Sequence, residues 1–235
     1  MIRFQSWASS HPGAVRAHNE DSFVDRPDLG LWAVADGAGG HDAGELASGM
    51  LKEELEAIPP GLSAFELLAQ VRLRVEDVHQ ALREKAAERG PRSVIASTLV
   101  VLLARDGHFA CLWAGDARAY LLRDGVIAQV TRDHSLVQEL VDAGAITAEE
   151  AEGHPRANVI TRAIGAAEAL ELDKVSNRLV AGDRFLLCSD GLNKTLSDEE
   201  LAGLLVEAGP AERLIAEALA RRASDNITVV AIEAY

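Results

Sequence analysis

Basic residues are in short supply in this 235-residue chain, where 23 Lys and Arg stand against 37 Asp and Glu for a formal charge of -14. No dense Lys/Arg run offsets that balance. Arg221-Arg222 with Arg213 follow a helical pattern and read as a solvated helix face. A field of this sign repels nucleic-acid backbones and anionic lipid, so neither is an expected partner. Cysteine is scarcer still. Cys111 and Cys188 each sit inside an apolar run, and two isolated thiols make neither a disulfide framework nor a metal-binding pair. They suit core positions in a reducing compartment. No segment approaches the ~20 apolar residues of a membrane span, and the MIRFQSWASS start lacks the basic-then-apolar order of an export signal. The expected location is cytoplasmic, the expected state monomeric. Internal repeats and low-complexity tracts are also missing.

What remains is a globular composition, 48% hydrophobic with 26% charged residues, and we expect one domain over 1–235. Apolar runs bounded by turn residues predict strands at Ile2–Ser9, Asp21–Arg26, Leu31–Ala35, Ser97–Ala104, Phe109–Ala114, Ala119–Arg123, Leu172–Leu179, Arg184–Cys188 and Ile227–Ala234. Asp106-Gly107 and Asp124-Gly125 fall between such runs and predict tight antiparallel connections. Helical spacing links Leu46, Met50, Leu51, Leu55 and Ile58, then Leu67, Val71, Val75, Val78 and Leu82, with Pro59-Pro60-Gly61 between the two sets. Two further helices, around Leu201–Leu205 and Leu214–Leu219, divide at Gly209-Pro210. Strands, helices, strands, helices and a last strand suit an α+β sandwich, mainly antiparallel, better than a doubly wound parallel sheet. The mixed stretch 134–165 reads either as a flap over a site or as an ordinary surface connection.

Carboxylates recur where apolar strands end. Leu31–Ala35 runs into Asp36-Gly37-Ala38-Gly39-Gly40-His41. Two readings suit this segment equally: Asp36 holding an ion with the Gly37 carbonyl close by, or a glycine-rich turn capped by an Asp. The same arrangement returns at Ser189-Asp190-Gly191, at Gly115-Asp116 and at Asp225-Asn226. Singly each is common turn chemistry; together they point to an oxygen-only ligand set, which suits Mg²⁺ or Mn²⁺ rather than zinc. Two such ions ~3.5–4 Å apart can activate a water toward phosphorus. Arg16-Ala17-His18-Asn19-Glu20-Asp21 adds a guanidinium able to grip phosphate and two more carboxylates, with a solvated charged loop as the plainer alternative.

With Gly44-Glu45, Ser97-Thr98-Leu99, Ala117-Arg118 after Gly115-Asp116, Thr131-Arg132-Asp133-His134-Ser135 and Thr161-Arg162-Ala163-Ile164-Gly165 added to these segments, nearly the whole chain resembles the metal-dependent protein phosphatases of type 2C in their compact bacterial form. The resemblance implies two central antiparallel sheets flanked by helices. It implies that Asp36 bridges two metals with the Gly37 carbonyl, that Asp190 and Asp225 hold the first, and that Glu20 supports the second. Asp116 with Asp190 would form a third-metal site, Arg16 would hold substrate phosphate, and Asp21 lies beside them. The implied activity is hydrolysis of phosphoserine and phosphothreonine in proteins. Expected partners are phosphorylated products of a serine/threonine kinase, with the kinase itself a further candidate. A non-catalytic phosphoprotein-binding regulator and a hydrolase of small phosphate esters are the rival readings. Ala38 departs from the family, where many bacterial members carry Met and animal members a His proposed as general acid. Leaving-group protonation then falls to metal-bound water or another group such as His41. Ala96 and Ala117, in place of the usual Gly and Ser, read as packing variation.

Overall fold

The computed structural model describes residues 2–39 and 42–235. In chain order the elements are β1 (Phe4–His11), β2 (Asp21–Arg26), β3 (Leu31–Ala38), α1 (Ala43–Glu56), α2 (Ala64–Arg89), β4 (Ala96–Ser97), β5 (Leu99–Arg105), β6 (His108–Ala114), β7 (Arg118–Arg123) and β8 (Val126–Gln129). Then come α3 (Leu136–Asp142), α4 (Ala148–Glu152), β9 (Asp173–Arg178), β10 (Arg184–Cys188), α5 (Asp190–Asn193), α6 (Asp198–Leu205), α7 (Pro210–Ala220) and β11 (Ile227–Ala234). One sheet runs β1-β11-β10-β7-β8, the other β2-β3-β5-β6-β9 with β4 paired to the end of β3. The strand pairs are antiparallel throughout.

Period-two alternation sorts the strand side chains into three apolar layers. Trp32, Val34, Val100 and Leu102 meet Phe185, Leu187, Val230 and Ile232 between the sheets, where the Phe109 and Phe185 rings cross edge to face at 4.9 Å. Leu31, Ala33, Val101 and Leu103 point the other way, onto the inner stripe of α1 and α2. Leu186, Val229 and Ala231 meet Leu201, Leu214 and Ala218 of α6 and α7. The expected sandwich is therefore helix, sheet, sheet, helix. Cys111 and Cys188 are buried and free, as their apolar neighbours imply.

Local signals act where expected. Asp106-Gly107 and Asp124-Gly125 both adopt positive φ at the two turn positions, the twist that joins tight antiparallel pairs. Ser63 and Glu66 close a capping box on α2 after the Pro-Pro-Gly break, and Pro210 opens α7. Arg221 is spent on Glu200 and Glu217, and Arg213 on Glu207, so the basic stretch is a solvated face with its own counterions. Two strands went unforeseen, β4 and β8, both short. β4 also explains why β3 outlasts its apolar run: Gly37 and Ala38 pair with Ser97 and Ala96. Asp36 thus stands inside a strand end instead of in a turn.

Chain approach around this end leaves no room for a methyl group at certain glycines. A Cβ at Gly191 would lie 2.1 Å from the Asn226 carbonyl oxygen, whereas one at Gly49, inside α1, would meet nothing within 4 Å. Gly191→Ala should therefore cost about 1–3 kcal/mol by overpacking, while Gly49→Ala should gain about 0.5–1 kcal/mol from helix propensity. Denaturant melts of both variants check the pair, and equal responses would contradict the backbone approach.

Candidate metal centre

The carboxylates gather at one open end of the gap between the sheets. Asp21 and Asp36 are directly opposed in the β2–β3 register, and opposed residues of an antiparallel pair project from the same face. That face also carries Trp32 and Val34, so both acids lie at the rim of the inter-sheet core. The C-terminal end of β10 and the start of β11 reach the same rim, since Cys188 pairs with Val229. They deliver Asp190, at the first position of α5, and Asp225. Asp116 follows β6 and is buried.

Backbone bonds hold each piece. Thr98 N–H and Ser97 Oγ–H donate to the Asp36 carbonyl at 2.8 and 2.9 Å. Gly37 N–H donates to the Glu20 carbonyl at 3.1 Å, and Ser48 Oγ–H reaches the same oxygen at 2.6 Å. A Cβ on Gly37 would come within 2.1 Å of Gly44 O and 2.7 Å of Glu20 O, so only glycine lets these three segments close. The Glu20 carboxylate packs on Gly44, where an added Cβ would sit 2.8 Å from its Cδ.

Three organising side chains lay inside the quoted motifs without a role assigned to them. Asn226 Oδ1 accepts from Glu20 N–H at 2.9 Å, while its Nδ2 donates to the Pro12 and His18 carbonyls at 3.0 and 2.9 Å. Ser189 Oγ–H donates to Asp21 Oδ2 at 2.7 Å and accepts from Thr228 N–H at 2.9 Å, tying the two sheets together. His134 Nδ1 accepts from Gly115 N–H at 3.2 Å, stacks on Trp113 and sets its Nε2 3.2 Å from Asp173. It fixes the turn that carries Asp116. Such second residues of a motif, an Asn or Ser beside the catalytic-looking Asp, were the available signal.

Arg16 is found on a carboxylate: its guanidinium grips Asp225 through Nε and Nη2, at 2.9 and 3.0 Å. The nearest guanidinium answers a crowded group of anions in this way, and the side chain stays more than half exposed. His41, a possible proton donor, lies outside the described residues.

Crowding is expressed in the acidities. Burial pushes the Asp21 carboxyl up to about 7, with the Asp190 and Asp225 charges adding to it against hydrogen bonds from Ser189 and Thr228. Burial, then Asp190, raises Asp116 to about 7. Asp36 is raised well above the ordinary carboxylate range by desolvation first and then by Asp21, Asp190, Asp116 and Asp225. Among the described residues no three His, Cys, Asp or Glu side chains close into a ready-made cage. The donor set nevertheless fits a hard divalent cation. It is all oxygen, its members repel one another, and Asp21 Oδ1 is buried without a hydrogen-bond partner.

Two antiparallel sheets thus lie between helix layers, with a ring of oxygen donors at one end of their gap. The sequence profile of the protein phosphatase 2C family matches residues 14–227. The serine/threonine phosphatase stp of Listeria monocytogenes is 33% identical over 232 residues, covering 94% of this chain and 92% of that protein. The serine/threonine protein phosphatase PstP of Mycobacterium tuberculosis is 39% identical over 95% of this chain, which spans 43% of PstP's length. Among solved structures, PppA, a key regulatory component of T6SS in Pseudomonas aeruginosa, superposes with a TM-score of 0.92 at 43% identity, over 99% of this chain and 98% of that one. The catalytic domain of PstP in complex with 2 manganese ions gives 0.85 at 37% identity, over 100% and 99%. The chain belongs to the protein phosphatase 2C family of metal-dependent serine/threonine phosphatases.

The raised acidities carry a sign. A carboxyl that ionises near 4 in the unfolded chain and near 7 in the folded one (Asp21 and Asp116 at about 7) costs stability as pH climbs between those values, because the unfolded chain loses its protons first. A cation that binds only the ionised, folded centre reverses the loss. Melting temperature in chelator should fall between about pH 4 and about pH 7, and the gap between Mn²⁺ and chelator should widen over the same range. A gap independent of pH would remove these carboxyls from the centre.

Proposed function

We propose that this protein removes phosphate from phosphoserine and phosphothreonine in other proteins, as a serine/threonine phosphatase that uses Mn²⁺ or Mg²⁺. The observation that supports the reading is the ring itself: Asp36 in the electrostatic field of Asp21, Asp190, Asp116 and Asp225, in a chain of this family. Asp36 would bridge two ions together with the Gly37 carbonyl, Asp190 and Asp225 would complete the first site, and Glu20 the second. Such ions supply Lewis acidity and a water acidic enough to attack phosphorus near neutral pH. Asp21, orphaned at Oδ1 and held by Ser189 at Oδ2, keeps the neighbouring ligands oriented and is placed to hold or release a proton. Arg16 has five donors in a planar fork. It would exchange one bidentate anion for another, leaving Asp225 for the substrate phosphate. The mutual repulsion of the ring favours whatever neutralises it, and a phosphate enters an acidic site only alongside such cations.

Natural substrates would be phosphoproteins made by a serine/threonine kinase. Phosphothreonine-peptide turnover with Mn²⁺ against chelator tests the reading. Activity should vanish in chelator and drop about 10²-fold or more in Asp190→Asn. Full turnover in excess chelator would sink it, and turnover of small phosphate esters alone would replace the protein substrate with a small one. Arg16→Ala should raise the KM for phosphopeptide about tenfold with metal affinity nearly unchanged. A variant whose Mn²⁺ binding fails while its KM holds would return Arg16 to Asp225.

A further inference from the structure

Among the described residues two cations stand in the field of the carboxylate ring, each paired with a different acid. Arg16 takes Asp225. Lys194, the C-cap of α5, pairs one turn back with Asp190 Oδ2. The same ammonium donates to Asn158 Oδ1 at 2.7 Å. Asn158 belongs to the segment between α4 and β9, so one side chain links the ring to the 134–165 stretch.

The link lies at the wall of a cavity. Lys194 and Asp116 both line a cavity of about 660 Å³ whose far side is formed by Val137 and Val141 of α3 and Ala148 and Ala151 of α4. Asp190 and Asp116 repel each other there, and Lys194 counters that repulsion from within reach of both. The Asp190 side chain is 15% exposed against 39% for Lys194, and of the two only Lys194 lines the cavity. A buried carboxylate pair needs a counter-charge, and a lysine supplies it without any ligand.

We propose that Lys194 is a resident cation of the centre: it holds the Asp116–Asp190 edge in place of a divalent ion and tethers the Asn158 segment to that edge. A divalent ion can enter this edge only by displacing the ammonium, and displacement frees the segment that walls the cavity. Lys194 is thus a positioning residue that acts through Asp190 and Asn158. The inference rests on the metal reading given above.

Mn²⁺ titration calorimetry on the full chain tests it without substrate, alongside hydrogen exchange of residues 154–162. In Lys194→Met the weakest Mn²⁺ should bind about tenfold more tightly, and residues 154–162 should lose protection even in chelator. Lys194→Arg, which keeps the charge, should titrate as wild type. Lys194→Gln removes the charge but retains a donor for Asn158; it should bind Mn²⁺ tightly with protection largely kept, and it substitutes for Lys194→Met if that variant fails to fold. Superimposable isotherms for wild type and both neutral variants overturn the inference while leaving the phosphatase reading intact. Wild-type protein that takes up no Mn²⁺ overturns the metal reading beneath it.

Discussion

Asp21 and Asp36 face each other across the β2–β3 pair with Asp190, Asp116 and Asp225 in reach, and the cost of holding those acids together shapes everything nearby. Part of the answer is protonation, expressed as acidities displaced upward by burial and like charge. Part is counter-charge, with Arg16 on Asp225 and Lys194 on Asp190. The remainder is hydrogen bonding from Ser189 and from the amides that anchor each loop. None of these removes the tension completely, since Asp21 Oδ1 still lacks a donor. Sites of this kind are assembled at the expense of stability.

The sandwich can carry such a site because its apolar layers are continuous and separate from it. Residues with no exposure at all, among them Trp32, Val34, Phe185, Leu187 and Val230, fill the gap between the sheets up to the rim where the aspartates begin. The strands therefore deliver the acids at their ends, outside the packed core, and the core holds those ends where they are. Asp36 also gains from β4, whose two residues extend the paired backbone beyond the last apolar side chain.

Much of this was legible in residue order. The layers followed from alternation in β3, β5, β10 and β11, and the two tight hairpins from Asp-Gly pairs, because these signals are local. The short pieces were not legible: β4 has two residues, and β8 carries the exposed or half-exposed Val126, Ile127, Ala128 and Gln129. Neither has a burial pattern to announce it. Within the centre, acids at strand ends were visible, but their mutual geometry depends on strand register. Asp21 was legible as one more carboxylate beside the others, but its place opposite Asp36 comes only through that register. Lys194 gave no signal either, since a lysine one turn after an aspartate is ordinary on a helix surface. Its meaning comes from Asn158, 36 residues away.

The Asn226 amide clasps Pro12, His18 and Glu20, and β1 is completed by β11 along its whole length. Segments at opposite ends of this chain are thus obliged to find each other before the loop bearing Arg16 and Glu20 takes its shape. On the ribosome, where the N-terminal part emerges first, β2, β3, β5 and β6 can pair early because their partners are already made. The centre cannot. Until residues 225–234 have left the exit tunnel, β1 lacks its neighbour and Glu20 its clasp, so a nascent chain carries most of one sheet yet no assembled set of ligands. β11, made after every other strand of the two sheets, is what brings the ligand set together.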